Sequence, residues 1–380
     1  MKNLSIIITI VLCSIATKII AQTNNLQLKI NRLDTLYNEL YTSGSFNGNV
    51  LIAEKGQIIF ERSYGLANEK TGEKLNAETI FELASVSKQF TATAIVLLKK
   101  QGKLSYEDDI TKYIPELEHY KGITIQNLLT HTGGLPDYMD IANTNWDKNK
   151  IATNNDMLNL FKTLKPAKVF ETNEKRQYSN TGYLILGSII ERVSGKSYGD
   201  FLKQEIFKPL KMENTFVYRR RFQPQIVKNY ALGYVYSDSL KRKAIPDEFG
   251  KTVYIVYLDG IVGDGTVNAP ARDLLKWDRA LYTDRLLNEE DKAMIFSSYK
   301  TNDNKETNYG FGWFIYNSKD FGKYVSHSGG WGGYVSYIER DIDHDKTIII
   351  LQNNNMRGTE LPSRNTRRIL YGLPIEKNKQ

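Results

Sequence analysis

Thiols are almost missing from this chain: Cys13 is the only cysteine in 380 residues. Histidine is nearly as scarce. His119, His131, His327 and His344 are scattered, without the paired spacing a catalytic metal site requires, so neither a metal nor another cofactor is expected. No repeat, low-complexity tract or long linker interrupts the chain. Gly260, Gly263 and Gly265 lack the following Lys-Ser/Thr or dinucleotide spacing of a phosphate loop. The formal charge is +8, with basic clusters at Lys99-Lys100, Arg219-Arg220-Arg221 and Lys241-Arg242-Lys243. Acids interrupt them and no nucleic-acid motif accompanies them, so they read as solvated surface and no nucleic-acid partner is expected. Weak attraction to anionic envelope polymers is the most that this charge implies.

Long apolar runs are missing too. Leu4 to Ala16 is mainly apolar, about 13 residues before Lys18 interrupts it, against the roughly 20 needed to span a bilayer. With Lys2 at its start and Ala21 before the polar Gln22-Thr23-Asn24-Asn25, the segment 1–21 reads as a secretory signal. Ile19 is larger than the small residue usual two positions before the cleavage site. Leu12 before Cys13 departs from a lipoprotein signal, which wants a small residue there. The expectation is an exported chain, periplasmic or secreted, with no integral span after processing. Cleavage would remove Lys2, Lys18 and the only thiol, lowering the formal charge from +8 to +6 and excluding disulfides and cysteine nucleophiles.

What remains has the composition of a globular protein, 41% hydrophobic and 25% charged, and is long enough for a large core. Leu26, Ile30, Leu33, Tyr37 and Leu40 recur at helical spacing, with Gly44 as a stop. Asn49 to Ala53 and Ile58 to Tyr64 read as strands around a Glu54-Lys55-Gly56-Gln57 hairpin. Ser85 to Lys100 is an apolar-rich helix closed by Gly102. The segment from about 106 to 245 is mostly helical by pattern, most clearly over Ile125 to His131 and Thr181 to Ser194. A helix over Pro270 to Tyr282 precedes four strands: Gly312 to Tyr316, Lys323 to His327, Tyr334 to Ile338 and Thr347 to Gln352. Strands at both ends imply an α/β (α+β) fold with one antiparallel sheet built from both halves. In this reading 22–105 and 246–380 form the sheet-bearing lobe and 106–245 an inserted helical lobe, with a small-molecule cleft between them.

Three short motifs carry chemistry in order: Ser85-Val86-Ser87-Lys88, Tyr178-Ser179-Asn180 and His327-Ser328-Gly329. A serine hydroxyl needs a neighbouring base to become a nucleophile, and on a helix positions i and i+3 share a face, so Ser85 and Lys88 can meet. A serine opening a helix also presents an unpaired backbone N–H towards developing negative charge. Alone, S-x-x-K reads more readily as a capping serine and a surface lysine.

The surrounding strings carry more. Phe81-Glu82-Leu83-Ala84-Ser85-Val86-Ser87-Lys88-Gln89-Phe90-Thr91 resembles the nucleophile motif of class C β-lactamases and related penicillin-binding-protein-like serine hydrolases. Asn127 to Pro136, Tyr178 to Tyr183, Gly263-Asp264-Gly265 and His327 to Gly330 match further landmarks, over about 45 to 355. The resemblance implies a β-lactamase/transpeptidase-like fold and acyl transfer through Ser85. Lys88 and the Tyr178 phenol would exchange protons with Ser85, the leaving group and later a water. Asn180, His327 and Gly329 would contact substrate. The N–H groups of Ser85 and Gly330 would form the oxyanion hole, each donor worth about 3–4 kcal/mol. The substrate would be a small molecule or peptide, with peptidoglycan-derived peptides among the candidates. A penicillin-binding-like protein that holds cell-wall peptide without turnover is the alternative. The oligomeric state is not indicated.

One position departs from the pattern. Class C β-lactamases and many penicillin-binding enzymes carry lysine where this chain has His327, and histidine is mostly neutral above pH ~6.5. Histidine there resembles esterases, D-amino-acid peptidases and their relatives, so efficient antibiotic hydrolysis is not expected. His131, at an apolar helix end, is expected to be structural. Gly195-Lys196-Ser197-Tyr198-Gly199 matches G-x-S-x-G, but a helical pattern precedes it and Asp200 follows at capping-box spacing, so Ser197 reads as a helix cap.

Overall fold

The computed structural model describes residues 23–238, 240–355 and 358–376. The export signal expected over 1–21 lies outside them. Helix α1 runs over 23–42. Strands β1 (Gly48–Glu54) and β2 (Gln57–Tyr64) then join β3 (Phe314–Ser318), β4 (Gly322–Trp331), β5 (Tyr334–Asp341) and β6 (Lys346–Gln352). They form a six-stranded sheet in the order β3-β4-β5-β6-β1-β2, antiparallel at every pairing. The first strands of the chain thus close on the last, as their sequence pattern predicts.

Strand β1 is central, flanked by β6 and β2, and both its faces are covered. Alternation along a strand sends neighbouring side chains to opposite faces. Val50 and Ile52, with Phe60, Ile348 and Ile350, pack beneath Leu33, Leu36, Tyr37 and Leu40 of α1. Leu51 and Ala53, with Ile349 and Leu351, face the larger core that also holds Val86, Phe90 and Ile95. The sheet therefore separates two cores, and the larger one carries the nucleophile motif.

Helix α2 (Lys88–Lys100) lies in that core, with α3 (Asn180–Ser194) against it. Helix α4 (Ala271–Ala280) packs on β1 and β6. It is tied there by Asp278, which accepts from Arg340 Nε on β5 at 2.6 Å and from Thr347 Oγ1 on β6 at 2.8 Å. Among the described residues no helix is long and apolar enough to cross a membrane.

The expected elements are present, with shifted ends and some additions. The segment read as mostly helical also holds a hairpin of Val235–Ser237 and Arg242–Ala244, and Phe216–Val217 joins a small sheet with Val267–Ala269 and Phe81–Glu82. Strand β4 runs four residues beyond its expected end at His327, because its pairing with β5 continues to Trp331 opposite Tyr334. The glycines that lower strand propensity there leave room for a neighbouring backbone. The basic cluster at 219–221 is not all solvated surface. Arg221 is mostly buried and paired with Asp247 and Asp259. Ser197 caps a short helix, accepting from Asp200 N at 3.1 Å.

Removing one partner from a buried pair leaves the other charge uncompensated. Asp278→Ala should lower stability by about 3–5 kcal/mol, measured by urea unfolding. A loss below about 1 kcal/mol would show that Arg340 finds another partner.

Candidate active site

Ser85 is the one residue between 81 and 96 that is not buried. It lies in a 3₁₀ turn, Ala84–Ser87, that leads directly into α2. Ala84 enters this turn with φ of +47°, a left-handed conformation that costs an L-residue roughly 1–2 kcal/mol. Neighbouring groups hold it. The Leu83 carbonyl accepts from Ser336 Oγ at 2.6 Å and from Val86 N at 3.2 Å, while Ser87 Oγ accepts from Val267 N at 3.0 Å. The second serine of the motif is thus a backbone pin, and the first is left open to the cleft.

One turn later Lys88 is fully buried, and its ammonium donates to three oxygens. These are Ser85 Oγ at 3.0 Å, Asn180 Oδ1 at 2.9 Å and the Asp264 carbonyl at 2.8 Å. Asn180 Oδ1 and the Asp264 carbonyl oxygen can only accept. When the amine is neutral it keeps donating to those two, so its lone pair must face the Ser85 hydroxyl. Geometry alone aims a neutral amine at the Ser85 hydroxyl.

Asn180 opens α3, whose N-cap Ser179 accepts from Gly182 N at 3.1 Å. The Ser179 N–H donates to Nδ1 of His131 at 3.1 Å, and the His131 ring lies 4.4 Å from that of Tyr178. His131 is therefore a positioning group for the whole Tyr178-Ser179-Asn180 run. Burial and nearby Lys88 hold its pKa well below the ordinary histidine value, so it stays neutral. Tyr178 also lies parallel to Phe314 at 6.4 Å, and Lys88 Nζ is 5.0 Å from its ring centre. The Tyr178 hydroxyl is buried and makes no hydrogen bond among the described residues. The expected hydrogen bond from Tyr178 to Ser85 or Lys88 is not made in this state.

His327 and Gly329, expected to contact substrate, are both buried. His327 is buried and outside the lining of the cleft. Its Nδ1 lies 2.7 Å from the Ser328 carbonyl, which can only accept, so Nδ1 carries the proton and Nε2 accepts from Tyr309 Oη at 3.1 Å. Burial, with Lys88 adding repulsion, pushes its pKa down to about 3. It is a neutral strut with both nitrogens engaged. Gly329 is buried against the nucleophile turn: a Cβ there would lie 2.9 Å from Ser85 N and closer still to the Leu83 carbonyl oxygen. Its role is close approach, which brings Gly330 to the mouth with open space beside it.

That edge is free. Strand β3 pairs with β4 only as far as Phe314 opposite Ser326, whereas β4 continues to Trp331. The stretch from Ser328 to Trp331 therefore offers one side without a strand, where an extended acyl chain can add. Ser85, Asn180, Thr266 and Gly330 share a cavity of about 510 Å³ beside it.

A family model described as Beta-lactamase matches residues 33–373. The chain belongs to the beta-lactamase family. Relatives of this beta-lactamase-family chain include penicillin-binding protein 4* of Bacillus subtilis, 44% identical over 92% of this chain and 78% of that one. The putative penicillin-binding protein PbpX of the same organism is 27% identical over 90% and 79%. Among solved structures, the octameric penicillin-binding protein homologue from Pyrococcus abyssi superposes with a TM-score of 0.76 at 26% identity, covering 90% of this chain and 76% of that one. These likenesses establish the β-lactamase/transpeptidase-like fold and membership of a family of serine hydrolases.

Several site residues of this family member had no short-range signal in the sequence. Tyr138 donates to the Asp264 carboxylate at 3.0 Å across 126 positions, and Tyr309 reaches His327. Burial raises Asp264 above the ordinary aspartate value, while Lys88 opposes the rise. Glu82, three residues before the nucleophile, lines the same cavity. Burial first, then Asp259, pushes its pKa up to about 8.

Two outcomes follow from this geometry. Gly329→Ala must displace the Ser85 turn, so turnover should fall at least about a hundredfold, the scale of one lost oxyanion donor, with the fold retained by circular dichroism. Unchanged turnover would mean that the turn tolerates a methyl group. Because Glu82 keeps its proton in the folded state up to about 8 and loses it near 4.5 when unfolded, stability falls as pH rises through that window. Glu82→Gln should match the parent near the low end of the window and exceed it above the high end, measured by denaturant midpoints. Parallel curves would place the carboxyl in solvent.

Proposed function

We propose that this chain is an exported serine hydrolase that cleaves an amide or ester through an acyl-Ser85 intermediate. The substrate in this reading is a D-amino-acid peptide, its amide, or a small ester. The carrying observation is the set of three oxygens around Lys88, which leaves a neutral amine only Ser85 to deprotonate. Ser85 Oγ attacks the acyl carbon as its proton passes to Lys88. The N–H groups of Ser85 and Gly330 receive the oxyanion, and the Tyr178 phenol, unpartnered at rest, hands a proton to the leaving group. Water then attacks the ester with the same groups acting in reverse, releasing the acid and restoring Ser85.

The name of the Bacillus relative states penicillin binding, a property of that protein that supports acylation here. The neutral, buried His327 supplies no cation for a β-lactam carboxylate, which supports slow β-lactam turnover. Export rests on the reading of residues 1–21 as a signal.

Exposing the protein to a fluorophosphonate and to a penicillin, then measuring intact mass, tests the proposal. An adduct should form with each reagent, vanish in Ser85→Ala, and form at least about a hundredfold more slowly in Lys88→Ala. Labelling that persists in Ser85→Ala would move the nucleophile elsewhere. A stable penicillin adduct without turnover of any amide or ester would favour a non-catalytic binder of cell-wall peptide.

A further inference from the structure

The cavity beside Ser85 is lined by carboxyl groups and by no basic side chain. Glu82, Asp140, Asp259 and Asp264 all contribute to its lining, and no lysine, arginine or histidine does. Two of the four are occupied within the fold: Asp259 accepts from Arg221, and the Asp264 carboxylate accepts from Tyr138. Asp140 is exposed at the mouth. Glu82 is different. It is 8% exposed, and no hydrogen bond or ion pair reaches its carboxyl among the described residues. Arg220 and Arg221 act on it only at longer range, alongside Asp259 and Asp264. Its carboxyl borders open space on two sides, so the donor of a bound ligand can reach it.

Its place in the cleft says which part of a substrate it would meet. Tyr178, the proton donor to the leaving group, lies at the His327 end of β4, with ring centres 6.0 Å apart. An acyl chain laid along the free edge then runs the other way, past Gly330 to Trp331. Glu82 and Trp331 line the cavity there together, and both also border a smaller adjoining crevice, on whose far side Arg220 and Arg221 stand without contacting the Glu82 carboxyl. Tyr254 meets Trp331 edge to face at 5.2 Å, and Tyr257 completes an aromatic wall. A carboxyl that no other side chain contacts, next to aromatic faces, is the chemistry that recognises an ammonium group.

We propose that the acyl part of the substrate carries a protonated amine, held by the Glu82 carboxyl beside the Trp331–Tyr254 rim. This rests on the acyl-Ser85 reading and adds the charge of the substrate to it. An anionic acyl group would find no basic side chain in this lining, so the cleft also selects by exclusion. Because Glu82 holds a proton at rest, seating the ammonium displaces that proton.

Three p-nitroanilides with one leaving group test the proposal: D-alanine p-nitroanilide with its free amine, the N-acetyl form and the N-succinyl form. On the unaltered protein near neutral pH, kcat/KM should be highest for the free amine and fall by at least about tenfold at each step, the scale of one close charge pair. In Glu82→Gln the preference for the free amine over the N-acetyl form should shrink to within about threefold. Binding of the free amine to Ser85→Ala should release protons, seen as heat that varies with the ionisation enthalpy of the buffer. Equal or faster turnover of the neutral or anionic substrates would overturn the ammonium site while leaving the acyl-serine intact. A preference abolished by Asp140→Asn but kept in Glu82→Gln would overturn the assignment to Glu82. If no anilide turns over and fluorophosphonate leaves Ser85 unlabelled, the acyl-serine reading itself fails.

Discussion

The buried amine of Lys88 is the constraint around which the site is arranged. Taking an ammonium out of water costs several kcal/mol unless its donors are satisfied, and here no carboxylate touches it. A side-chain amide, a backbone carbonyl and the nucleophile itself satisfy it instead. Each comes from a different part of the chain, so the three elements that supply them must meet at one point. Helix α2 and the 3₁₀ turn leading into it bring Lys88 and Ser85, the start of α3 brings Asn180, and the 263–266 turn brings the carbonyl of Asp264. Neutral partners suit this purpose. A carboxylate in contact would hold the proton on the amine, whereas an amide and a carbonyl accept hydrogen bonds without fixing its charge.

The surrounding residues keep that point rigid. The left-handed Ala84 is retained because Ser336, Ser87 and the backbone of Gly329 leave the turn no alternative. His131 and His327 resemble catalytic residues by type, yet both are held neutral by burial and both serve as struts. His131 orients the backbone of the Tyr178 motif. His327 takes a hydrogen bond from Tyr309 and gives one to its own strand. The cleft, lined by four carboxyl groups and no basic side chain, differs in character from the positively charged chain as a whole. Local field and net charge are separate properties, and a bound acyl group meets only the first.

Much of this was legible in the sequence. Short strand-like runs beside turn residues located β1, β2, β5 and β6 to within a few residues, because each is half or fully covered by a core. The i to i+3 spacing put Ser85 and Lys88 on one face. The capping role of Ser197 followed from Asp200 three residues later. Signals failed where glycine was used for space rather than flexibility: β4 was expected to end at His327, yet it continues because Gly329 admits the nucleophile turn. The basic run at 219–221 was expected to be solvated, and Arg221 instead answers Asp247 and Asp259, which lie 26 and 38 positions away.

The sequence by itself pointed to the chemistry through the resemblance of the strings around Ser85, Lys88, Tyr178 and Asn180 to a known family, since the local spacing of Ser85 and Lys88 alone reads more readily as a cap and a surface lysine. It also determined that strands from both chain ends must share a sheet. Tertiary structure decided the rest, because the remaining properties depend on environment. Whether His327 faces a substrate or a tyrosine, whether Glu82 keeps its proton, and which way the Lys88 lone pair points are all set by burial and by partners far away in sequence. A residue type fixes what a group can donate or accept. Only packing decides whether water, substrate or another side chain takes up that capacity.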